Sequence, residues 1–497
     1  MLLKKKYLPI LLIFSFVFFI NCSSDDPDPD PIVNVELKNE INDFVWKGMN
    51  SAYYWQENVP NLDDTKDDDL NAYHTYLNSK SEPESLFESL LFDKGNTDRF
   101  SWFIDDYNEQ NASFRGVSDS FGFDFGLARL CEDCNEVIGF ITYVVPNSPA
   151  ADTNMKRGDI FYKFNGTVLD LNNYTIVNAY YTDDNITMDF ATIENGNITP
   201  NDVNVSLTIR EVIENPVFYS DIINNSQGTK VGYLVYNGFK YTFHEELNNI
   251  FSEFKSENIQ ELILDLRYNG GGSVLTSAYL ASMIHAGASP NEIFAKLVHN
   301  SKMSSENGNY SFFNNARVYD KDGDYSGNDI SINRLNNLDK VYVITSGGTA
   351  SASEMVINGL SPYMSVITVG ETTYGKNVGS YTVYDSPDFT SNNVNSNHTN
   401  AMQPITFKIF NKLDQSDYTH GFTPDYEVVE YASEMKPFGD LEEPLLKATL
   451  DIISGTSAKI GLLKEPEFGG RFFFNSLDKK PFSKEMYIIP QERSTNF

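Results

Sequence analysis

Cysteine and histidine are scarce in this sequence, which has three cysteines and six histidines in 497 residues. Cys131 and Cys134 form a C-E-D-C stretch, and no second pair follows that could complete a zinc site. We therefore expect a structural short-loop disulfide or two incidental thiols, and we predict no metal site. The HEELN stretch at 244–248 lacks the second histidine of a zinc protease, and none of the histidines lies in a G-x-S-x-G context. Metal-dependent and Ser-His-Asp hydrolysis are therefore poorly supported.

Basic residues are also few, because 37 lysines and arginines stand against 69 acidic residues, for a formal net charge of −32 at pH 7. A chain this acidic is repelled by phosphate backbones, which argues against nucleic acid as a partner. Apolar residues are abundant by contrast, with 41% hydrophobic and 14% aromatic residues, as is typical of a globular protein. The length exceeds what one hydrophobic core usually serves, so we expect two or three domains.

The first 21 residues contain three lysines followed by an apolar stretch that ends just before Cys22. This pattern predicts a signal peptide at 1–21, and the cysteine after it resembles the lipobox of bacterial lipoproteins, which implies lipidation at Cys22. The SSDDPDPDP that follows predicts an extended tether at 22–35 and is similar to the acidic lipoprotein export signals of Bacteroidetes. We expect an exported protein, lipid-anchored in the cell envelope at the outer membrane, on its periplasmic or surface side. An uncleaved membrane anchor is the alternative, although the apolar run is short for a span.

Four regions with different residue patterns follow the tether. Apolar residues three and four apart in INDFVWKGMNSAYYW and ESLFESLLF predict helices. Short alternating strands separated by turn residues predict a β-rich module, and strands that alternate with helices predict a core with a mixed or mostly parallel sheet. The predicted fold class is multidomain α+β, with a helical domain at 36–110, a β-rich domain at 113–212, an α/β domain at 213–455 and a tail of unknown role at 456–497.

A polar stretch at 300–337 interrupts the α/β pattern. Three aspartates at alternate positions there have the spacing of a calcium loop, but Tyr325 and Ser331 stand where that loop needs glycine and glutamate. We predict a solvated insertion without a metal.

Two stretches of the β-rich module, FGFDFGLAR and VVPNSPAADTNMKRGDIFYKFNG, resemble parts of a PDZ domain. The first is similar to the carboxylate-binding loop and first strand, and the second to the latter half of the domain. Domains of this type bind a free C-terminus by adding it as a strand to an open sheet edge. The resemblance implies that substrate binds at Phe121, Gly122, Phe123, Phe125 and Gly126. A β-domain that binds nothing is the alternative.

The stretch GGTASASEMVINGL follows the predicted strand KVYVITS and opens a helix near Ser351. A serine at the end of a strand and over a helix N-terminus suits a nucleophile, because the helix dipole and free N–H groups stabilise an anion. Such a serine needs a base, and Lys376 follows the next predicted strand. A lysine in a desolvated pocket gives up its proton more readily than one in water. The alternative is that Ser351 and Glu354 form a capping box and that Lys376 is an ordinary surface lysine.

Three blocks in this order, LDLRYNGGG, GGTASASEMV and VGETTYGKNVG, resemble the signature blocks of the C-terminal processing, or tail-specific, serine proteases. The resemblance extends over about residues 40–455 and includes GFTPDYEV at 421–428. Members of that family cleave peptides with a Ser-Lys dyad beside a PDZ domain. The resemblance therefore implies that Ser351 is the nucleophile, that Lys376 is the general base and that no cofactor is needed.

The same resemblance implies a set of supporting groups. The backbone N–H groups of Ala352 and Gly271 would form the oxyanion hole, with Gly272 as the alternative donor. Glu354 matches a position that is often acidic in the family, although capping alone would account for it. Ser380 stands where many members have a glutamine, and its hydroxyl can orient the lysine ammonium.

Asp265 and Arg267, just before the glycine turn, are interpreted as a structural ion pair. The predicted partners are peptide or protein substrates, recognised through their C-termini, and membrane lipid through the anchor. The main alternative is a surface lipoprotein with a decayed catalytic site that only binds peptides. A glycan-binding lipoprotein is a further alternative, suggested only by the acidic tether and the many tyrosines and asparagines.

Overall fold

The structure, a computed structural model, describes residues 34–456 and 466–489. The signal peptide, the lipidation of Cys22 and most of the tether lie outside these residues and stay predictions. Within the described ranges, no helix is long and apolar enough to cross a membrane.

Helices dominate the N-terminal region, as the apolar spacing predicts. Asn39 caps the first helix by accepting the Ile41 N–H at 3.0 Å. The buried faces of these helices belong to the same hydrophobic cluster as the helices of the α/β core. The elements are α1 (Glu40–Ala52), α2 (Leu70–Leu77), α3 (Pro83–Ser89), β1 (Trp102–Ile104) and α4 (Tyr107–Phe114).

Most of the β-rich region is an antiparallel sheet with its own aromatic core, to which Phe125, Phe161 and Phe164 contribute, and the first and last short strands of the region form a separate pair. Cys131 and Cys134 form a disulfide in the connection between the first two long strands of this sheet. The elements are β2 (Val117–Ser120), β3 (Phe123–Arg129), β4 (Val137–Val144), β5 (Ile160–Phe164), β6 (Thr167–Val168), α5 (Ala179–Thr182), β7 (Asn185–Glu194), β8 (Asn197–Thr208) and β9 (Arg210–Ile213).

The α/β core contains the predicted mixed sheet, which has six strands. The elements of the core are β10 (Val217–Asn224), β11 (Lys230–Tyr236), α6 (His244–Ser256), β12 (Glu261–Asp265), β13 (Gly272–Ser273), α7 (Val274–Ile284), β14 (Ile293–His299), β15 (Gly308–Ser311), β16 (Asn315–Tyr319), β17 (Tyr325–Ser331), β18 (Lys340–Thr345), α8 (Ala352–Leu360), β19 (Ser365–Gly370), β20 (Val378–Ser380), β21 (Val383–Tyr384), β22 (Ala401–Gln403), β23 (Ile405–Phe410), β24 (Tyr426–Glu427) and α9 (Pro444–Ile453). The strands of the mixed sheet lie in the order β10-β11-β12-β18-β19-β24. The first pair is antiparallel and the other pairs are parallel.

The stretch 300–337 is solvent-exposed over more than half of its length, as its polarity predicts, but it is also folded onto the core. It contains β15 and the hairpin β16–β17, and Phe312, Ala316 and Tyr319 are buried in the main core. The prediction of a solvated insertion is therefore confirmed only in part, because a few apolar side chains anchor a segment whose other residues are polar and mostly exposed. Among the described residues, no group of three or more His, Cys, Asp or Glu side chains is arranged to hold a metal ion.

The C-terminal tail folds back onto both large regions. β25 (Phe472–Asn475) pairs with β3 at the edge of the β-rich sheet. β26 (Met486–Tyr487) lies between β13 and β20 in a second six-stranded sheet, in the order β13-β26-β20-β23-β14-β15. The tail therefore reaches from the β-rich region to the glycine turn that precedes β13.

The predicted ion pair of Asp265 and Arg267 is confirmed and belongs to a larger buried network. The Arg267 guanidinium lies 2.8 Å from Asp265 and 2.7 Å from both Glu430 and Glu443. Burial would raise the pKa of Glu430, but Arg157 and Arg267 outweigh it and lower this pKa to about 2. The network joins the end of β12 to the start of α9 and to the β-rich region, and so fixes the base of the glycine turn.

Glu430→Gln is expected to lower the free energy of unfolding by about 3 kcal/mol at neutral pH, because two buried guanidinium groups lose a charged partner. Since the folded-state pKa of Glu430 is lowered from 4.5 to about 2, its contribution is present above pH 4.5 and is lost as the pH falls toward 2. The Tm of variant and wild type should therefore differ most near pH 7 and converge in acid. Glu442→Gln, at an exposed ion pair, is the matched control. An equal loss of Tm in both variants would contradict the assignment.

Candidate active site

The three sequence blocks meet at the carboxyl ends of three neighbouring parallel strands. β12 precedes the glycine turn at 270–272, β18 precedes the corner that carries Ser351, and β19 precedes the loop that carries Lys376. β18 pairs with β12 on one side and with β19 on the other, in parallel register. Sheets of this kind place functional residues at this edge, so the topology brings the predicted site residues together.

Ser351 is the N-cap of α8, as predicted, and is fully buried. Its φ of 64° and ψ of −118° lie in a region that non-glycine residues rarely adopt, and such strain clusters at functional sites. Its Oγ has no hydrogen-bond partner among the described residues. The strained backbone therefore holds a buried hydroxyl that is not committed to a structural hydrogen bond.

Glu354 ties the Ser351 corner to the Lys376 loop. Its carboxylate accepts the N–H groups of Ser351, Gly375 and Lys376 at 2.9, 2.7 and 2.8 Å and the Thr373 hydroxyl at 2.6 Å. Burial raises the pKa of Glu354, and the Thr373 hydroxyl and the N–H donors oppose that shift. The capping interpretation therefore explains one of four contacts, and the other three position the lysine loop.

The glycine turn lies directly against the serine. A side chain on Gly271 would place its Cβ 2.6 Å from the Cβ of Ser351, closer than real contacts allow, and 3.0 Å from the nitrogen of Ala352, which is a tight contact. Gly271 and Gly272 also have φ values of 118° and 138°, which favour glycine. The Ala352 N–H belongs to the first turn of α8, whose N–H groups have no partner within the helix.

The two glycines use their N–H groups differently. The Gly271 N–H donates to Asn269 Oδ1 at 2.9 Å. The Gly272 N–H donates to the carbonyl oxygen of Glu485, a tail residue, at 2.5 Å. The alternative oxyanion donor is thus the one that binds a peptide carbonyl here, and the assignment of either glycine stays a prediction.

Lys376 is fully buried, so the surface-lysine alternative is wrong. Its Nζ donates to Glu485 Oε2 at 2.9 Å and to the Lys484 carbonyl at 2.8 Å, and it lies 4.7 Å from the ring centroid of Phe100. Burial raises the pKa of Glu485, and the attraction of the Lys376 ammonium opposes that shift. The lysine of the predicted dyad is therefore ion-paired with the tail.

The Ser380 hydroxyl forms its hydrogen bonds with groups other than the Lys376 ammonium. It donates to the Met486 carbonyl at 3.3 Å and accepts from Gln403 Nε2 at 2.9 Å. In this arrangement Ser380 contacts the tail and not Lys376.

The predicted peptide-binding residues of the β-rich region already make contacts within the chain. Phe121, Phe123 and Phe125 are buried in the core of this region. The Gly122 carbonyl accepts the Val145 N–H at 2.8 Å and the Ser148 hydroxyl at 3.1 Å. Gly126 pairs with Asn475 of β25, so the predicted peptide edge carries the chain's own tail.

Asn269 and Glu485 were missed by sequence reasoning. The Asn269 carbonyl accepts the Ala350 N–H at 3.1 Å and the Ser353 hydroxyl at 3.0 Å, and so joins the glycine turn to the serine corner. Its position between the end of a strand and three glycines could have identified Asn269 as a site residue from the sequence. Glu485 had none, because it reaches the site from a distant part of the chain.

Comparisons with known proteins bear on the family of the chain. The profile of Peptidase family S41 matches residues 230–428, and that of the Peptidase S41 N-terminal domain matches residues 40–102, which together exceed half of the chain. The crystal structure of an S41 protease from Bacteroides fragilis is 26% identical and superposes with a TM-score of 0.64, over 83% of this chain and 97% of that one.

Carboxyl-terminal-processing peptidase 2, chloroplastic, of Arabidopsis thaliana is 24% identical over 157 residues, which are 31% of this chain. The matched segment covers 25% of the length of the Arabidopsis protein. Both family profiles and the similar crystal structure lead to one conclusion: the chain belongs to peptidase family S41, the family of the C-terminal processing serine peptidases.

Proposed function

We propose that the protein is an exported, lipid-anchored endopeptidase that hydrolyses peptide bonds with a dyad of Ser351 and Lys376. One observation supports the assignment of the dyad. A single oxygen, Glu354 Oε2, accepts hydrogen bonds from the backbone N–H groups of both residues, at 2.9 and 2.8 Å. Two residues from the ends of different strands are thereby held as close neighbours. Their backbone positions are fixed before substrate arrives, which is the preorganisation that nucleophilic catalysis needs.

In the proposed reaction, Lys376 acts as an unprotonated amine and takes the proton of the Ser351 hydroxyl while Oγ attacks the scissile carbonyl carbon. The oxyanion of the tetrahedral intermediate accepts hydrogen bonds from the Ala352 N–H and from one glycine of the turn. The sequence favoured Gly271, but we now prefer Gly272, because the Gly271 N–H already donates to Asn269 whereas the Gly272 N–H meets a peptide carbonyl. The lysine ammonium then donates its proton to the leaving amine. Water, deprotonated by the same lysine, hydrolyses the acyl-enzyme and restores the serine.

The proposed anchor rests on the N-terminal sequence, where a cysteine directly follows the apolar stretch. A lipid mass on Cys22 of protein extracted from membranes would support it, and an unmodified Cys22 would contradict it.

The β-rich domain is proposed to recognise substrate C-termini, because its edge strand β3 accepts an extended segment by antiparallel pairing. Two internally quenched peptides of identical sequence, one with a free and one with an amidated C-terminus, test this. We expect kcat/KM to fall at least about tenfold on amidation, since the loss of a charged hydrogen-bonding group costs roughly 1.5 kcal/mol or more.

Equal kcat/KM for the two peptides would contradict C-terminal recognition while leaving the dyad intact. Binding of both peptides without any cleavage would favour the alternative, a peptide-binding lipoprotein with a decayed catalytic site.

A further inference from the structure

The C-terminal tail, residues 466–489, contacts both places that the proposed function reserves for substrate. β25 pairs with β3 of the β-rich sheet, and residues 483–487 pass the glycine turn of the catalytic corner.

At the β-rich edge, the tail occupies the position that we propose for a bound peptide strand. β25 runs antiparallel to β3, with Phe472 opposite Ala128 and Asn475 opposite Gly126. Ser476 Oγ accepts the Phe125 N–H at 2.9 Å. A sheet edge whose backbone groups are paired in this way cannot accept a second strand at the same place.

At the catalytic corner, the tail lies in an extended conformation between β13 and β20. Met486 and Tyr487 pair in parallel with Gly272 and Ser273, and Ser380 pairs with Tyr487. The Ile488 N–H donates to the Ser380 carbonyl at 3.1 Å. The tail therefore makes backbone hydrogen bonds on both sides, as an extended peptide does when it completes a sheet.

The tail also engages the groups that would carry out the reaction. The Glu485 carbonyl oxygen accepts the Gly272 N–H, and its carboxylate pairs with the Lys376 ammonium at 2.9 Å. An ammonium bonded to a carboxylate has no lone pair with which to take a proton. Ser351 Oγ, fully buried and without a hydrogen-bond partner among the described residues, has no base that can activate it in this arrangement.

The side chains that follow Glu485 are deeply buried. Met486 and Tyr487 belong to the main hydrophobic core, and the Tyr487 ring stacks on Phe114 with centroids 3.7 Å apart. The tail therefore binds through apolar side chains and backbone pairing, and the Glu485 carboxylate adds contact with the catalytic lysine.

We propose that residues 466–489 are a built-in peptide ligand that fills the substrate cleft, holds the peptidase closed, and marks the path of its substrates. This rests on the proposed function. The substrates are extended C-terminal segments that carry apolar side chains after the residue whose carbonyl meets the Gly272 N–H. They reach the dyad only when the tail has left the cleft between β13 and β20.

Glu485→Gln tests the proposal in the full chain. The variant leaves the Lys376 ammonium buried without a counter-charge when the tail is bound, so the tail-free form becomes favoured. We expect a serine-reactive phosphonate to label the variant at least about tenfold faster than the wild type, with kcat/KM for a peptide substrate rising in parallel. Glu467→Gln, which changes an exposed acid of the same tail, should label at the wild-type rate.

The outcomes separate this proposal from the proposed function. If wild type and Glu485→Gln label at equal rates, or the variant labels more slowly, the dyad stands and the closing role of the tail is overturned. If no folded form labels or cleaves, the proposed function fails and this inference fails with it.

A second measurement covers the case in which Glu485→Gln does not fold. The phosphonate adduct on the wild-type protein must displace the Glu485 carbonyl from the Gly272 N–H. Backbone amides of 472–489 should therefore exchange hydrogen faster in the adduct than in the free protein. Unchanged protection of these amides in the adduct would overturn the proposal.

Discussion

Ser351→Ala is expected to lower peptide hydrolysis by at least about a thousandfold while leaving the fold and the Tm nearly unchanged. The activity falls because no other group in the proposed reaction can form the acyl-enzyme. The Tm stays because the Ser351 hydroxyl makes no hydrogen bond among the described residues, so its removal leaves no partner unsatisfied. The backbone N–H of an alanine at this position donates the same hydrogen bond to Glu354 Oε2.

The measurement is kcat/KM for a quenched peptide, taken in the wild-type background and in the Glu485→Gln background, where more of the enzyme is open. Ser361→Ala, an exposed serine at the other end of α8, is the matched control and should retain full activity. Undiminished turnover by Ser351→Ala in either background would remove this serine from the mechanism.

Lys376→Met is expected to cause a loss of similar size, because the buried serine then has no base within the site. Methionine keeps an unbranched side chain in the apolar surroundings of Phe100, so the fold should survive. Glu485 would be left without its cation, and burial already raises the pKa of that carboxyl, so it can become neutral in the variant.

Lys376→Arg makes the test sharper. A guanidinium retains the positive charge that pairs with Glu485 but does not give up its proton at any pH at which the protein is folded. We expect Lys376→Arg to fold with the tail bound and to be as inactive as Lys376→Met. Lys412→Met, at an exposed lysine, should behave as the wild type. Substantial activity in Lys376→Arg would show that the lysine acts as a charge and not as a base.

The strand-helix alternation and the corner at Ser351 were predictable because their signals are local. Apolar runs of five to seven residues end at glycines, and helices follow at the expected spacing. The ion pair of Asp265 and Arg267 was predictable for the same reason. Its extension to Glu430, Glu443 and Arg157 was not, because these residues lie far away in the sequence and no pattern marks them as partners.

The role of Glu354 shows the limit of a local interpretation. The spacing S-x-x-E correctly indicates a carboxylate at a helix N-terminus. The same carboxylate also holds Gly375 and Lys376, and these contacts depend on how β19 lies beside β18 in the sheet. A local pattern therefore identified the residue but not its contact with the lysine loop.

The tail could not be placed from the sequence at all. β26 inserts between strands that lie far apart in the chain, and strand pairing of this kind leaves no trace in local periodicity. Its residues form a short apolar run after a polar stretch, and this sequence pattern is compatible with many structures. Only the fold brings Glu485 to Lys376.

Covalent labelling of the purified protein shows whether Ser351 is the nucleophile of a serine peptidase. The wild-type protein, Glu485→Gln and Ser351→Ala are treated with a serine-reactive phosphonate. Intact-mass spectrometry then counts the adducts, and peptide mapping identifies the modified residue. We predict one adduct per chain on Ser351 in the first two proteins, formed faster in Glu485→Gln, and none in Ser351→Ala. An adduct on another residue, or equal labelling of Ser351→Ala, would show that Ser351 is not the nucleophile.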